Sequence, residues 1–405
     1  MCYSNKIITF ACKSCMYMNI EPRKYKIVYC TPALYSAGGV ERVISVKASY
    51  FVDVYGYDVT IIITEGLDKE PFFQLSPKVE VVNLNLGFEE LWGASFVKKV
   101  FLYLKKQRRF KKLLKQELMR IRPDITISVL RREINFINSI SDGSFKIGEL
   151  HVNRSNYRNF DKRDSNIVKD LFSRYWMHSL VCKLRKLDKL VVLTEDAKSD
   201  WPELKNVVLI PDPLPFRVET VSDLSKKRVI SIGRYAYEKG NDLLLQAWAI
   251  VEKTCKDWCL DIYGMGNKQP YCQQQKDLSI DENRCHLYSS LPDVKEAYLC
   301  SSIFALPSRF EGFGLVIIEA MSCGLPVVSF DCENGPRNIL TDGYNGFLIR
   351  PFDVGTFAER LIQLILDEEL RYQIGTNARQ STQQYAIERI ANCWKQLFEE
   401  LDNGE

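Results

Sequence analysis

The stretch Ile303-Phe304-Ala305-Leu306-Pro307-Ser308-Arg309-Phe310-Glu311-Gly312-Phe313-Gly314-Leu315-Val316-Ile317-Ile318-Glu319-Ala320 changes character part-way along. Residues 303–306 form a short apolar run stopped by Pro307. A loop with Gly312 and Gly314 follows, and then a second apolar run at helical spacing. This reads as a strand, a loop and a helix, with the polar residues gathered in the loop. The same unit recurs on both sides. Apolar strands are predicted at 228–233, 260–264, 285–287 and 327–330, and earlier at 26–30, 59–64, 79–84, 125–129, 145–150, 189–193 and 207–210. Helical patterns separate most of them, as in 39–54, where Val40, Val43, Ile44 and Ala48 share a face. Apolar strands alternating with helices imply parallel sheets covered on both faces.

The series is interrupted at Pro211-Asp212-Pro213-Leu214-Pro215. Three prolines so close together exclude both helix and central strand. A chain of 405 residues also exceeds one typical core. The expected architecture is therefore α/β: two Rossmann-like parallel-sheet domains facing a central cleft. Residues 1–25 read as an N-terminal extension, 26–210 as the first domain, 211–216 as the linker and 217–380 as the second domain. Residues 381–405 read as a helix packing back on the first domain. In open α/β sheets, ligands bind beyond the carboxyl ends of the strands.

Composition narrows the class. With 46% hydrophobic and 26% charged residues, the chain is an ordinary globular one. The 13 cysteines are odd in number and irregularly spaced, and several sit in apolar strand runs. That argues for reduced thiols and a cytoplasmic protein rather than a disulfide framework. Cys12 and Cys15 form a C-x-x-C with no second pair at zinc spacing, so no metal site is expected there. No apolar run reaches membrane-spanning length. The apolar piece 7–12 is short for a signal peptide.

Two loops carry the chemistry. Strand 228–233 runs into Gly233-Arg234-Tyr235-Ala236-Tyr237-Glu238-Lys239-Gly240, with a helix from Asn241. Arg234 offers a planar fork of donors and Lys239 a mobile point charge, which together suit a diphosphate. A solvated basic loop is the plain alternative. In the opening stretch, seven residues separate Glu311 from Glu319. Gly312, Phe313 and Gly314 lead into a helix whose first N–H groups, at Gly314, Leu315 and Val316, attract phosphate. Glu319 lies two turns into that helix, where ribose hydroxyls can reach it. Glu311, in the loop, can hold a sugar beyond the phosphates. A solvated acid is the alternative for Glu311. For Glu319 that alternative is weak, because a carboxylate among Val316, Ile317 and Ala320 is costly without a partner.

The Glu-x7-Glu motif, the Gly-Arg-x4-Lys-Gly loop and their spacing resemble the family 4 retaining glycosyltransferases of the two-Rossmann GT-B class. The segments 331–337 and 342–346 are similar to those of bacterial members that build lipopolysaccharide and capsule. The resemblance implies that Arg234 and Lys239 bind the donor diphosphate, Glu319 the ribose and Glu311 the transferred sugar. It implies a hexose moved with retention from a nucleotide sugar, UDP-linked by analogy, to a glycan or lipid-linked acceptor. In the first domain, Gly38-Gly39 follows strand 26–30 and resembles the family's first loop. His151, after Gly148-Glu149-Leu150, matches a histidine beside the donor sugar; a capping or core histidine is the alternative. The role of Glu149 stays open. No Asp-x-Asp ends a strand, so neither an essential metal nor any other cofactor is expected, with Lys and Arg taking the charge. A nucleotide-sugar epimerase or hydrolase, or a non-catalytic sugar-nucleotide-binding subunit, remains an alternative.

Between residues 98 and 122 lie eleven Lys and Arg side chains against Glu117 alone, interleaved with Val100, Phe101, Leu104 and Phe110. A basic amphipathic helix over 96–122 suits an anionic membrane surface, on the inner face of the cytoplasmic membrane. A solvated helix packed on its own domain is the alternative, and nucleic acid is not expected.

Overall fold

The computed structural model describes residues 23–93, 96–152, 154 and 167–404. Most of the N-terminal extension, including Cys12 and Cys15, lies outside the described residues. The chain forms two parallel sheets. The first comprises β1 (Lys26–Cys30), β2 (Asp58–Ile63), β3 (Glu80–Asn83), β4 (Ile125–Ser128), β5 (Phe145–Leu150), β6 (Lys189–Val192) and β7 (Val207–Leu209), in the order β3-β2-β1-β4-β5-β6-β7. The second comprises β8 (Arg228–Ile232), β9 (Cys259–Gly264), β10 (Cys285–Ser289), β11 (Ile303–Leu306), β12 (Val327–Phe330) and β13 (Gly346–Ile349), in the order β10-β9-β8-β11-β12-β13. Every ladder is parallel. The central strands are apolar on both faces because helices cover both faces: β4, β11 and β12 are buried along their whole length.

Both sheets reverse direction of growth once, between β1 and β4 in the first and between β8 and β11 in the second. Such a switch point opens a crevice at the carboxyl ends of the flanking strands. The Gly38-Gly39 loop follows β1, the Arg234–Lys239 loop follows β8, and the Glu311 loop follows β11. His151 follows β5, the next strand out from the first switch point. This topology gathers the polar loops.

The chain passes between the domains twice. It crosses first between β7 and β8, where the Leu214 N–H donates to the Tyr385 carbonyl at 2.8 Å. It returns just before the helix Ile387–Asn403. In that helix Ile390, Trp394, Leu397, Phe398 and Leu401 recur at helical spacing and are buried. They pack with Ile27, Phe51 and Tyr57 of the first domain.

The basic helix Phe96–Ile121 is amphipathic in an uneven way. Phe110, Leu114 and Leu118 are buried against the first sheet, while Val100, Phe101 and Leu104, nearer its start, are exposed together with the lysines. No described helix is long and apolar enough to cross a membrane.

Candidate active site between the two domains

The loop after β8 is docked on the loop after β11. Arg309 makes the junction: its backbone N–H donates to the Glu238 carbonyl at 2.8 Å. Its two Nη atoms grip the carboxylate of Asp242 at 2.8 and 2.6 Å. Its guanidinium lies 4.0 Å from the centre of the Tyr237 ring. With the loops held this way, the Lys239 Nζ reaches the Glu311 Oε1 at 2.7 Å, and the Ser308 Oγ donates to the same oxygen at 2.7 Å. Glu311 is thus buried and paired, not a solvated loop acid. Arg234 stands further out, half exposed, and pairs with Glu238 at 2.6 Å.

The backbone between the two acids is shaped by glycines. Gly314 has φ +91° and caps the helix Leu315–Ser322 with no side-chain acceptor. A residue with a Cβ is strained there, and the first N–H groups of the helix are left without an intrahelical partner. Gly312 meets the opposite domain: a Cβ there would overlap the His151 carbonyl oxygen. Phe313 and Leu315 turn their side chains into the core, with Phe313 edge-on to Tyr385, so only their backbone is available to a ligand. Gly38 caps the helix Gly39–Asp53, and a Cβ on Gly39 would stand in open space.

Glu319 is wholly buried. Tyr298 donates its hydroxyl to Oε2 at 3.0 Å. Arg42 of the first domain donates Nη1 to Oε1 at 2.8 Å across the interface. Burial pushes the Glu319 carboxyl above the usual carboxylate range, against the opposing pull of Arg42 and Tyr298.

A second buried network surrounds His151. Its Nε2 lies 3.5 Å from Glu149 Oε1, and its Nδ1 lies 3.7 Å from Asp212 Oδ2, in the linker. Lys47, fully buried on the helix Gly39–Asp53, pairs with the same Glu149 oxygen. Burial alone would lower the His151 pKa, but Glu149 and then Asp212 lift it to about 9. Burial would raise Glu149, yet Lys47 and His151 hold it at about 2. Glu149, His151 and Asp212 bring one ligand atom each to within 4.8 Å of one another, a spacing a metal ion can use. The donor set fits an ion poorly, since the Lys47 ammonium already sits on Glu149 and a protonated imidazole is not a ligand. A folded-state pKa above the free value means stability present below about 6.5 and lost as pH rises through about 9. Melting temperatures of the wild type and of His151→Gln should therefore converge between pH 7 and pH 10; a constant difference would contradict the charged imidazole.

The structure thus brings Lys239, Glu311, Gly312 and His151 together at the interface, with Glu319 about one turn into the helix that follows, not two turns as expected. Sequence reasoning missed Arg42, Tyr298, Ser308, Lys47 and Asp212. For Arg42, Tyr298, Lys47 and Asp212 the partners lie 21 or more positions away, while Ser308 sits three residues from Glu311 in a loop whose local pattern does not mark it.

Known proteins place this arrangement in a family. The Glycosyl transferases group 1 family model matches residues 215–381. The chain is 27% identical over 391 residues to the amylovoran biosynthesis glycosyltransferase AmsD of Erwinia amylovora, covering 92% of this chain and 99% of that one. Among solved structures, Staphylococcus aureus TarM in complex with fondaparinux, α-GlcNAc-glycerol and UDP superposes with a TM-score of 0.75 at 17% identity, covering 92% of this chain and 99% of that one. Anabaena HepE with UDP and glucose superposes with a TM-score of 0.68 at 18% identity, covering 94% of this chain and 100% of that one. An uncharacterized glycosyltransferase of Haemophilus influenzae is 30% identical over 368 residues, covering 90% of this chain and 97% of the relative. With likeness running through nearly the whole of both chains, the protein belongs to the group 1 glycosyltransferases, and its fold is GT-B.

Proposed function

We propose that the protein transfers a hexose, with retention of configuration, from a UDP-sugar to a glycan or lipid-linked acceptor in cell-surface polysaccharide or lipopolysaccharide synthesis. The observation that carries this reading is the Lys239–Glu311 pair at the switch point of the second sheet, with Glu319 about one turn along the following helix. Glu319 binds ribose, Lys239 and Arg234 bind the diphosphate, and Glu311 orients the sugar. As the sugar–phosphate bond breaks, negative charge grows on the leaving diphosphate. Lys239, Arg234 and the N–H groups at Gly314, Leu315 and Val316 stabilise that charge in place of a metal. Gly38 and Gly39 let the phosphates come close to the first domain. The His151 carbonyl, against Gly312, faces the reacting carbon.

The UDP bound by TarM and HepE supports the choice of nucleotide, and the Erwinia relative's role in amylovoran synthesis supports the pathway. The cations and exposed apolar residues of the helix Phe96–Ile121 support an acceptor presented at an anionic membrane surface, on its cytoplasmic side. Incubation with labelled UDP-hexoses and a cell-envelope lipid extract tests the whole. The expected result is labelled lipid or glycan, with donor binding weakened by Glu319→Ala. Release of free sugar without acceptor would favour a hydrolase, and binding without product a non-catalytic subunit.

A further inference from the structure

The first domain has a cavity of its own, with a volume of about 400 Å³, within the range of small-ligand pockets. One face of the helix Ile167–Leu184 and the turn beyond it line this space. Arg174, His178, Val181 and Arg185 recur there at intervals of four, three and four residues, the spacing that sets side chains in one stripe. The Arg185 N–H still donates to the Val181 carbonyl, at 2.9 Å, so the helical bonding reaches it. Arg154 also lines the cavity and is held rigidly. Its guanidinium lies 4.6 Å from the Trp201 ring centre, its Nη1 donates to the Asp200 carbonyl at 2.5 Å, and its two Nη atoms hold Glu203 at 3.0 and 2.8 Å.

Charge in the cavity is unbalanced. Arg174 and Arg185 are exposed, and among the described residues no carboxylate forms an ion pair with either. Glu203 is the one acid of the lining, and Arg154 already grips it. The hydrogen bond from Arg154, with Arg185 adding at longer range, holds Glu203 below the ordinary carboxylate range against burial. Three guanidinium groups thus face one carboxylate. Their planar forks match the oxygens of a phosphate. Met177 and Val181 add apolar surface for the carbon atoms beside it.

The cavity is tied to the candidate active site. Arg154 stands three residues after His151, whose carbonyl meets Gly312. Asp200, which receives Arg154, also accepts from Asn334 Nδ2 of the second domain at 3.4 Å. The backbone of Asn334 is bridged to that of Glu311. A ligand in this cavity therefore approaches Glu311 from the first domain, whereas Arg234, Lys239 and Glu311 itself belong to the second. That division suits the acceptor.

We propose that this cavity binds a phosphate ester carried by the acceptor, with Arg174 and Arg185 gripping the phosphate oxygens and Arg154 as the fixed cation on the side of the cleft. The inference rests on the transferase reading and adds to it that the acceptor is anionic. The phosphate can belong to a lipid carrier or to a phosphate-linked glycan; the chemistry at the cavity is the same.

The test uses the full-length protein. Calorimetry compares an octyl glucosyl phosphodiester with neutral octyl glucoside. The wild type should bind the phosphodiester at least about tenfold more tightly, the effect of one hydrogen bond to a charged group. Arg174→Gln/Arg185→Gln should bring that ratio below about threefold. Both side chains are exposed, so the variant should fold and bind UDP within about twofold of the wild type. Lys111→Gln/Lys112→Gln, on the basic helix, should keep the wild-type ratio. In transfer from labelled UDP-hexose to a cell-envelope extract, the arginine variant should raise the apparent KM for the extract at least about tenfold. Label entering butanol identifies a lipid phosphate, and label left in water a phosphate-linked glycan. A wild-type ratio near one overturns the proposal, as does a ratio that the arginine variant retains or the lysine variant abolishes. An unchanged KM overturns the acceptor role. Absence of product in the wild type overturns the transferase reading, and the acceptor role with it; a phosphate preference that persists tells this failure apart from failure of the cavity.

Discussion

Replacing Lys239 with alanine should lower kcat/KM by roughly 10²–10³-fold, the usual loss when one preorganised donor to a developing negative charge is removed. Three features make this cation more sensitive than its neighbour. Its side chain is only 18% exposed, so its charge acts where water screens it least. Its Nζ is already fixed at 2.7 Å from Glu311, so no reorganisation is needed when the donor arrives. Its removal also leaves Glu311 buried with Ser308 as its one side-chain hydrogen-bond partner among the described residues. Arg234, half exposed and paired with Glu238, should cost less when truncated. Lys239→Arg should recover part of the loss, since it restores the charge as a planar fork instead of a compact ammonium. Steady-state kinetics with a UDP-hexose decide the matter. Activity of Lys239→Ala within about threefold of the wild type would remove Lys239 from the leaving-group site.

Replacing Lys47 with methionine should destabilise the protein by roughly 3–5 kcal/mol, because it strips the partner from a buried carboxylate. For a domain of this size, that is a fall in Tm on the order of 10 °C. Lys47 is fully buried, lies 4.5 Å from the Trp394 ring centre and pairs with Glu149. Its loss therefore reaches the helix Gly39–Asp53, β5 and the C-terminal helix together. The double variant Lys47→Met/Glu149→Leu should recover much of the stability, since replacing both members of a buried pair by apolar groups is often close to neutral. Thermal melts of the two single variants and the double variant give the coupling directly. Additive losses would mean that the pair contributes nothing as a pair. The double variant should remain poor in catalysis even if stable, because among the described residues His151 would then keep Asp212 alone as a charged neighbour.

The strands were legible because their signal is local. Burial on both faces demands apolar residues in succession, and proline and glycine mark where each run stops. β1, β5, β11 and β12 fall where the pattern predicts them, and the proline cluster lies between β7, the last strand of the first sheet, and β8, the first of the second. The residues proposed for the donor side were legible as a group for a related reason. Arg234 and Lys239 share one loop, and Glu311 and Glu319 share one βα unit, so covalent spacing alone brings each pair to one strand end. Phe313 and Leu315 were legible only as backbone, since their side chains belong to the core.

The partners of those residues were settled by tertiary structure. Arg42 meets Glu319 across 277 positions, Lys47 meets Glu149 across 102, and Lys239 meets Glu311 across 72. Such pairs arise because a buried charge must find its opposite wherever the fold delivers one, and nothing in a local stretch says where that will be. Local pattern was enough for two α/β sheets and a set of polar loops at their strand ends. The packing of one domain against the other decided which loops meet, that Glu311 and Glu319 are both buried and paired, and that His151 sits between two carboxylates.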